Sequence, residues 1–177
     1  MKALSLAGFV GVCLILASSG ASAQESKSAP LAKQLVAAME AAKLDSIAAK
    51  DPAAPDVFIG ALYIQGTQLL VISGQYSAPS LLADRIAKKE YRDVYIDLNG
   101  AATAASRIFV EDVGADGLHV RTEDNRPPDS IEATGKRTTL DRDWKRQKIS
   151  EDEYMKTFGT GDERYAQMLT ALLQQVK

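Results

Sequence analysis

Two apolar runs, residues 57–64 and 69–76, constrain this chain more than any other feature. Both are rich in β-branched and aromatic residues, and Gln65-Gly66-Thr67-Gln68 between them reads as a tight connection, so the pair is expected to form a β-hairpin. Neither run alternates polar with apolar residues. A strand wetted along one side does alternate, so both faces of this hairpin are expected to be covered. A barrel, or a sheet under helices, provides such cover.

The rest of the chain supplies the partners. An Ala-rich helix is expected from about residue 30 to 49, capped by Ser28, with Pro30 in its first turn and Leu31, Leu35, Met39 and Ala42 on one face. Asp51-Pro52-Ala53-Ala54-Pro55-Asp56 ends it. A second helix is expected over 77–90, followed by an alternating strand at 93–98 and further strands at 107–113 and 118–121. Gly114-Ala115-Asp116-Gly117 joins the last two as a turn. A loop continues to residue 130, and a strand runs within 131–140. Ser150 with Glu153 and Thr160 with Glu163 form two capping-box patterns, with Gly159 as the stop between two C-terminal helices. Tyr165, Met168, Leu169, Leu172, Leu173 and Val176 give the last helix an apolar stripe. The fold class is therefore α+β.

Residues 1–23 stand apart from this domain. Lys2 precedes an apolar stretch, and Ala21-Ser22-Ala23 has the form read by a signal peptidase. That stretch is shorter than the roughly 20 residues a membrane-spanning helix needs. Export is expected, to a periplasm or beyond the cell, leaving 24–29 as a flexible leader and 30–177 as a single domain. Cys13, the one cysteine, leaves with the signal, which excludes disulfides, thiolate nucleophiles and Zn-thiolate sites from the mature chain. A net charge of −2 before cleavage gives no positive field for nucleic acid or for an anionic membrane.

Four groups of residues carry candidate chemistry. Asp112, Asp116, Gly117 and Glu123 match places in a calcium-binding EF-hand loop, but Gly114 stands at a ligand place, and the pattern is read as an acidic hairpin turn, with no metal. His119, the one histidine, is read as a surface or cross-strand residue, a haem or metal ligand being the alternative. Trp144, in a charge-dense stretch, is read as an anchor to the core or part of a ligand wall. Tyr91, Tyr95, Tyr154 and Tyr165 are read as packing or interface aromatics. Tyr76-Ser77-Ala78-Pro79-Ser80 lies at a strand-to-helix junction, where hydroxyls and free N–H groups either cap the helix or take an anion, with Arg85 a turn or so further on.

The element order, the stretch Leu69-Leu70-Val71-Ile72-Ser73-Gly74-Gln75-Tyr76-Ser77, the helix through Leu81, Leu82 and Ile86, and the strands at 94–98 and 108–110 resemble the FMN-binding split barrel of the pyridoxamine-phosphate-oxidase-like superfamily. The likeness covers roughly residues 30–121. It implies a split β-barrel of about six mostly antiparallel strands flanked by N- and C-terminal helices, and a homodimer with a ligand cleft between subunits. It also implies FMN or haem as cofactor, with Tyr76, Ser77, Ser80 and Arg85 as the wall and phosphate contacts. The expected function is binding of a flavin-like or related planar, anionic ligand, with weak oxidoreductase activity carried by the flavin. The alternative is a non-catalytic envelope protein that uses the barrel to dimerise or bind a protein. Pro79 at a place where the family carries a basic residue, and the lack of a paired acid and base, favour that alternative.

Overall fold

The computed structural model of the chain describes residues 26–54, 57–74, 106–120, 127–133, 136–141 and 147–176. Helix α1 (Ser28–Ala42) opens the domain and helix α2 (Glu151–Leu173) closes it. Between them run β1 (Ser46–Lys50), β2 (Phe58–Ile64), β3 (Gln68–Gly74), β4 (Ser106–Val113), β5 (Ser130–Ala133) and β6 (Lys136–Thr139). Each strand pairs antiparallel with the next, giving one six-stranded sheet in sequence order. The α+β class, with an N-terminal and a C-terminal helix, is as expected. Among the described residues the sheet is open, not closed into a barrel: β1 and β6 are its edges and do not pair with each other.

The hairpin of β2 and β3 has the expected place, and its register sets Ala61 opposite Val71 and Leu62 opposite Leu70. Its two faces are both buried. Ile59, Ala61, Leu69 and Val71 join α1 and α2 in one apolar core, while Leu62, Leu70, Ile72 and Phe109 are buried on the opposite face. Continuous apolar character thus reports two-sided burial. From α1 the core takes Ala32, Leu35 and Met39; from α2 it takes Tyr154, Phe158, Tyr165, Met168, Leu169 and Leu172. Tyr154 and Tyr165 are packing aromatics, as expected.

Several local expectations are corrected. The first helix ends at Ala42 rather than Ala49. Lys43 turns left-handed (φ 56°), its N–H bonds Glu40 O at 3.1 Å, and Leu44 N–H bonds Met39 O at 2.8 Å, the paired bonds of a Schellman stop. The chain then enters β1, an edge strand made from an alanine-rich segment because β2 offers it a ladder. Ser28 is not the N-cap of α1 but its first helical residue. Residues 118–120 are irregular rather than a strand, and the strand expected within 131–140 is the hairpin β5–β6. Gly159 does not stop a helix: α2 runs through it, so Thr160 and Glu163 cap nothing. The cap at Ser150 is as expected, its Oγ accepting from Glu153 N–H at 3.1 Å.

Gly161 has a different role. A Cβ there would lie 2.2 Å from Ile131 Cδ1, so its lack of a side chain sets how closely α2 approaches β5. Gly117 acts similarly at the turn after β4, where φ is +93° and a Cβ would meet Ala29 Cα at 2.3 Å. The expected helix at 77–90, the strand at 93–98, Trp144 and the leader segment 1–23 lie outside the described residues.

Candidate functional site

Buried polar groups fall into two sets, one on each face of the sheet. On the helix side, three residues of a single turn of α2 reach three different elements. Asp162 accepts from Lys27 N–H (2.6 Å), Ser28 N–H (3.1 Å), Ser28 Oγ (2.6 Å) and Ser26 Oγ (3.0 Å), so it caps α1 from the far end of the chain. A carboxylate at a helix N-terminus meets both unpaired N–H groups and the positive end of the helix dipole. Ser28 Oγ in turn accepts from Leu118 N–H at 2.9 Å.

Arg164 donates through Nη2 to Asp51, which comes just after β1 and whose side chain has no exposed surface. Asp51 also accepts from Ser73 Oγ of β3 and from Ala53 N–H at 2.9 Å. Burial raises the Asp51 carboxyl, but Arg164, Ser73 and the Ala53 N–H outweigh it and hold the group below its ordinary value.

Tyr165 donates to Asp112 at 3.0 Å from wholly buried surroundings. Asp112 further accepts from Asp116 N–H (3.1 Å) and Gly117 N–H (2.9 Å). Its pKa is raised, because burial outweighs those three donors. Burial, then the neighbouring Asp112 charge, lifts the Tyr165 phenol well above its usual value. Asp112 therefore closes the turn after β4 with both oxygens engaged; the turn is acidic as expected, but it leads into irregular chain at 118–120 rather than into the second strand of a hairpin. Asp116 and Gly117 contribute backbone N–H groups to it, and Glu123 lies outside the described residues. Among the described residues, no cluster of three or more His, Cys, Asp or Glu side chains could hold a metal ion. Asp129 completes the pattern, its carboxylate accepting from Val113 N–H and His119 N–H, each at 2.8 Å. His119 itself is a partly exposed residue whose Nδ1 lies 2.6 Å from Gly117 O.

The second set lies on the face away from the helices. Register places Ile72 opposite Phe109, Phe109 opposite Glu132, and Glu132 opposite Arg137, in one row across four strands. Arg137 does not pair with the carboxylate directly across from it. Its Nη2 donates instead to Glu111 at 2.5 Å, and Glu111 also accepts from Ser130 Oγ at 3.1 Å. Glu132 is only 8% exposed, and its Oε1 has no hydrogen-bond partner. Burying a polar oxygen without a donor costs about 1–3 kcal/mol, more when it is charged. Neither Glu132 nor Arg164 stands out in the sequence: Ser130-Ile131-Glu132-Ala133 shows only strand alternation, and nothing in it says that both faces are covered. The candidate contacts Tyr76, Ser77, Ser80 and Arg85 lie outside the described residues.

No family model, no curated protein and no solved structure matches the chain. No helix among the described residues is long and apolar enough to cross a membrane.

Proposed function

We propose that this chain is exported and binds a planar, flavin-like ligand, the ligand class of the FMN-binding split barrels its sequence resembles, on an open sheet rather than in a barrel. In this reading it binds a planar, flavin-like ligand on the sheet face opposite its helices and performs no proton transfer of its own. The observation that carries the reading is Glu132 Oε1, an unpartnered acceptor buried in the same row as Phe109 and Ile72. A flat ring with an imide N–H, bound beside Glu132, would supply the missing donor. Two strand spacings separate Glu132 from β3, about 10 Å. Ser77 and Ser80 would then donate to the ligand's phosphate, with Arg85 as its counter-charge. A bound flavin would supply any redox chemistry itself. Asp51, Asp112 and Asp162 are engaged by donors that hold the fold, which is why no acid–base role is assigned to them.

Among the described residues β1 and β6 are unpaired edges, which favours a second reading, a non-catalytic envelope protein that dimerises or binds a protein by extending its sheet. Titration of the purified mature chain with FMN, and separately with haem, separates the two. Quenched flavin fluorescence or a shifted haem spectrum at micromolar ligand is expected, and Glu132→Leu should weaken it about tenfold, one lost hydrogen bond to a charged acceptor. Absence of any change with either ligand, in a chain that sediments as a dimer, would replace the first reading with the second.

A further inference from the structure

The two edges of the sheet differ in what their outward-facing backbone groups meet. In an antiparallel pair, alternate residues turn N–H and C=O towards the partner strand, and the others turn theirs away. On β6 the bond from Leu140 N–H to Asp129 O (2.8 Å) fixes that alternation, so Arg137 and Thr139 face outwards. The Gln147 side chain engages both groups of Thr139: its Oε1 accepts from Thr139 N–H at 3.1 Å, and its Nε2 donates to Thr139 O at 2.9 Å. One primary amide thus takes the place a neighbouring strand would fill, and Lys136 and Arg137 add positive charge to that edge. On β1 the bonds from Tyr63 N–H to Asp45 O and from Asp51 N–H to Val57 O, both 2.9 Å, bracket the strand and leave Ser46, Ala48 and Lys50 facing outwards. Among the described residues nothing is hydrogen-bonded to their outward groups. Leu44, the large apolar side chain left exposed among the described residues, lies two residues before the strand.

We infer that the β1 edge is an interface between two copies of this chain, paired antiparallel about a two-fold axis at Ala48. In this register the strand is its own complement. Ala48 of one copy exchanges both bonds with Ala48 of the second, and Ser46 exchanges both with the second copy's Lys50. Every outward residue of the strand is then paired. An axis at Ile47 or Ala49 leaves one of the three without a strand partner, and an axis at Lys50 sets two lysines opposite each other. The side chains suit the same register. Ala49 and Ile47 turn to the core on the helix side, so Ser46, Ala48 and Lys50 share the other face. A methyl group meets a methyl group at the axis, and each ammonium lies opposite a hydroxyl rather than a like charge. Past its Lys50, the second copy's chain runs beside Leu44 and covers it. Five residues a side make a short ladder, so the affinity belongs in the micromolar range. The interface rests on the sheet-extension reading, lies four strands from Glu132 and does not depend on the flavin-like ligand.

Sedimentation of the mature chain across micromolar concentrations should show a reversible equilibrium between monomer and dimer. Ala48→Pro removes the outward N–H at the axis and leaves the β1–β2 bonds in place, so it should give a monomer with the wild-type unfolding midpoint. Ser46→Glu sets a carboxylate opposite the second copy's Lys50, twice by symmetry, and should tighten the dimer about two- to tenfold. Ser46→Lys sets like charges opposite each other and should weaken it by as much. A dimer that survives Ala48→Pro, or that responds alike to both changes at Ser46, would overturn the β1 interface. Its loss in Arg137→Pro instead would move sheet extension to β6, so that reading would stand while this interface fell. A chain that stays monomeric throughout would overturn the interface and self-pairing of the sheet together.

Discussion

Asp162 is the residue on which the N-terminal helix depends, although 134 positions separate it from Ser28. Its removal leaves two α1 N–H groups and two serine hydroxyls without their acceptor. Asp162→Ala is expected to destabilise the domain by about 2 kcal/mol in urea unfolding, at the upper end for a lost helix cap because the site is buried. Glu163→Ala, at the neighbouring exposed position, should leave the midpoint unchanged. Asp51 gives a pH-dependent counterpart. Its folded pKa lies below the ordinary 3.8, so its contribution is complete above that value and is lost as pH falls through the lower, folded value. Asp112 has the opposite sign: its folded pKa is raised, so protonation near and above 3.8 favours the folded state. The stability gap between wild type and Asp51→Asn should therefore stay constant from neutral pH to about 4 and close below it. A gap that stayed open at the acid end would show that Asp51 acts through packing alone. Glu132→Leu should raise the stability of the unliganded chain by about 1 kcal/mol, since it removes a buried acceptor with no donor.

At the scale of elements, the places where residue pattern and structure agree are those where burial alone decides. The β2–β3 hairpin, β4 and the α2 stripe are legible because their apolar residues sit at spacings that only one geometry buries. The errors have a different physical origin. Residues 43–50 look helical because alanine and lysine are good helix formers, and the Schellman stop uses Lys43 where glycine is the usual signal. Nothing local reveals that β2 has a free edge awaiting β1. Lys43→Gly should relieve that left-handed residue and stabilise the domain by about 0.5–1 kcal/mol. Gly159 looks like a helix stop, yet the helix runs through it, and Gly161 two residues on is there for contact with Ile131. Gly161→Ala should then cost about 1–3 kcal/mol despite its better helix propensity, the usual cost of overpacking. Ile131→Val, which deletes the obstructing Cδ1, should recover part of that loss in the double variant. If Gly161→Ala alone stabilised the protein, the close approach of α2 to β5 would be refuted. The candidate site was less legible than the fold, because an orphaned acceptor such as Glu132 exists only once strands have fixed who lies opposite whom.

For the whole molecule, the last helix carries what the sheet lacks. Among the described residues the six strands form an open meander, and no strand pairing ties its beginning to its end. Through Asp162, Arg164 and Tyr165, α2 connects to the start of α1, the end of β1 and the turn after β4. The same helix buries Tyr165, Met168, Leu169 and Leu172 completely. At about 1.5–3 kcal/mol for each fully buried side chain, those four alone contribute about 6–12 kcal/mol, which is comparable to the entire 5–15 kcal/mol by which a domain is stable. A chain ending at Gly159 should accordingly show no cooperative thermal transition and should bind a dye that reports exposed apolar surface. A chain ending at Leu173 loses the exposed Gln174 and Gln175 and the half-buried Val176, and should unfold cooperatively near the wild-type midpoint. If the shorter chain still melted as one unit, the sheet with α1 would be self-sufficient, and the polar contacts of α2 would be an addition to a fold that already stands.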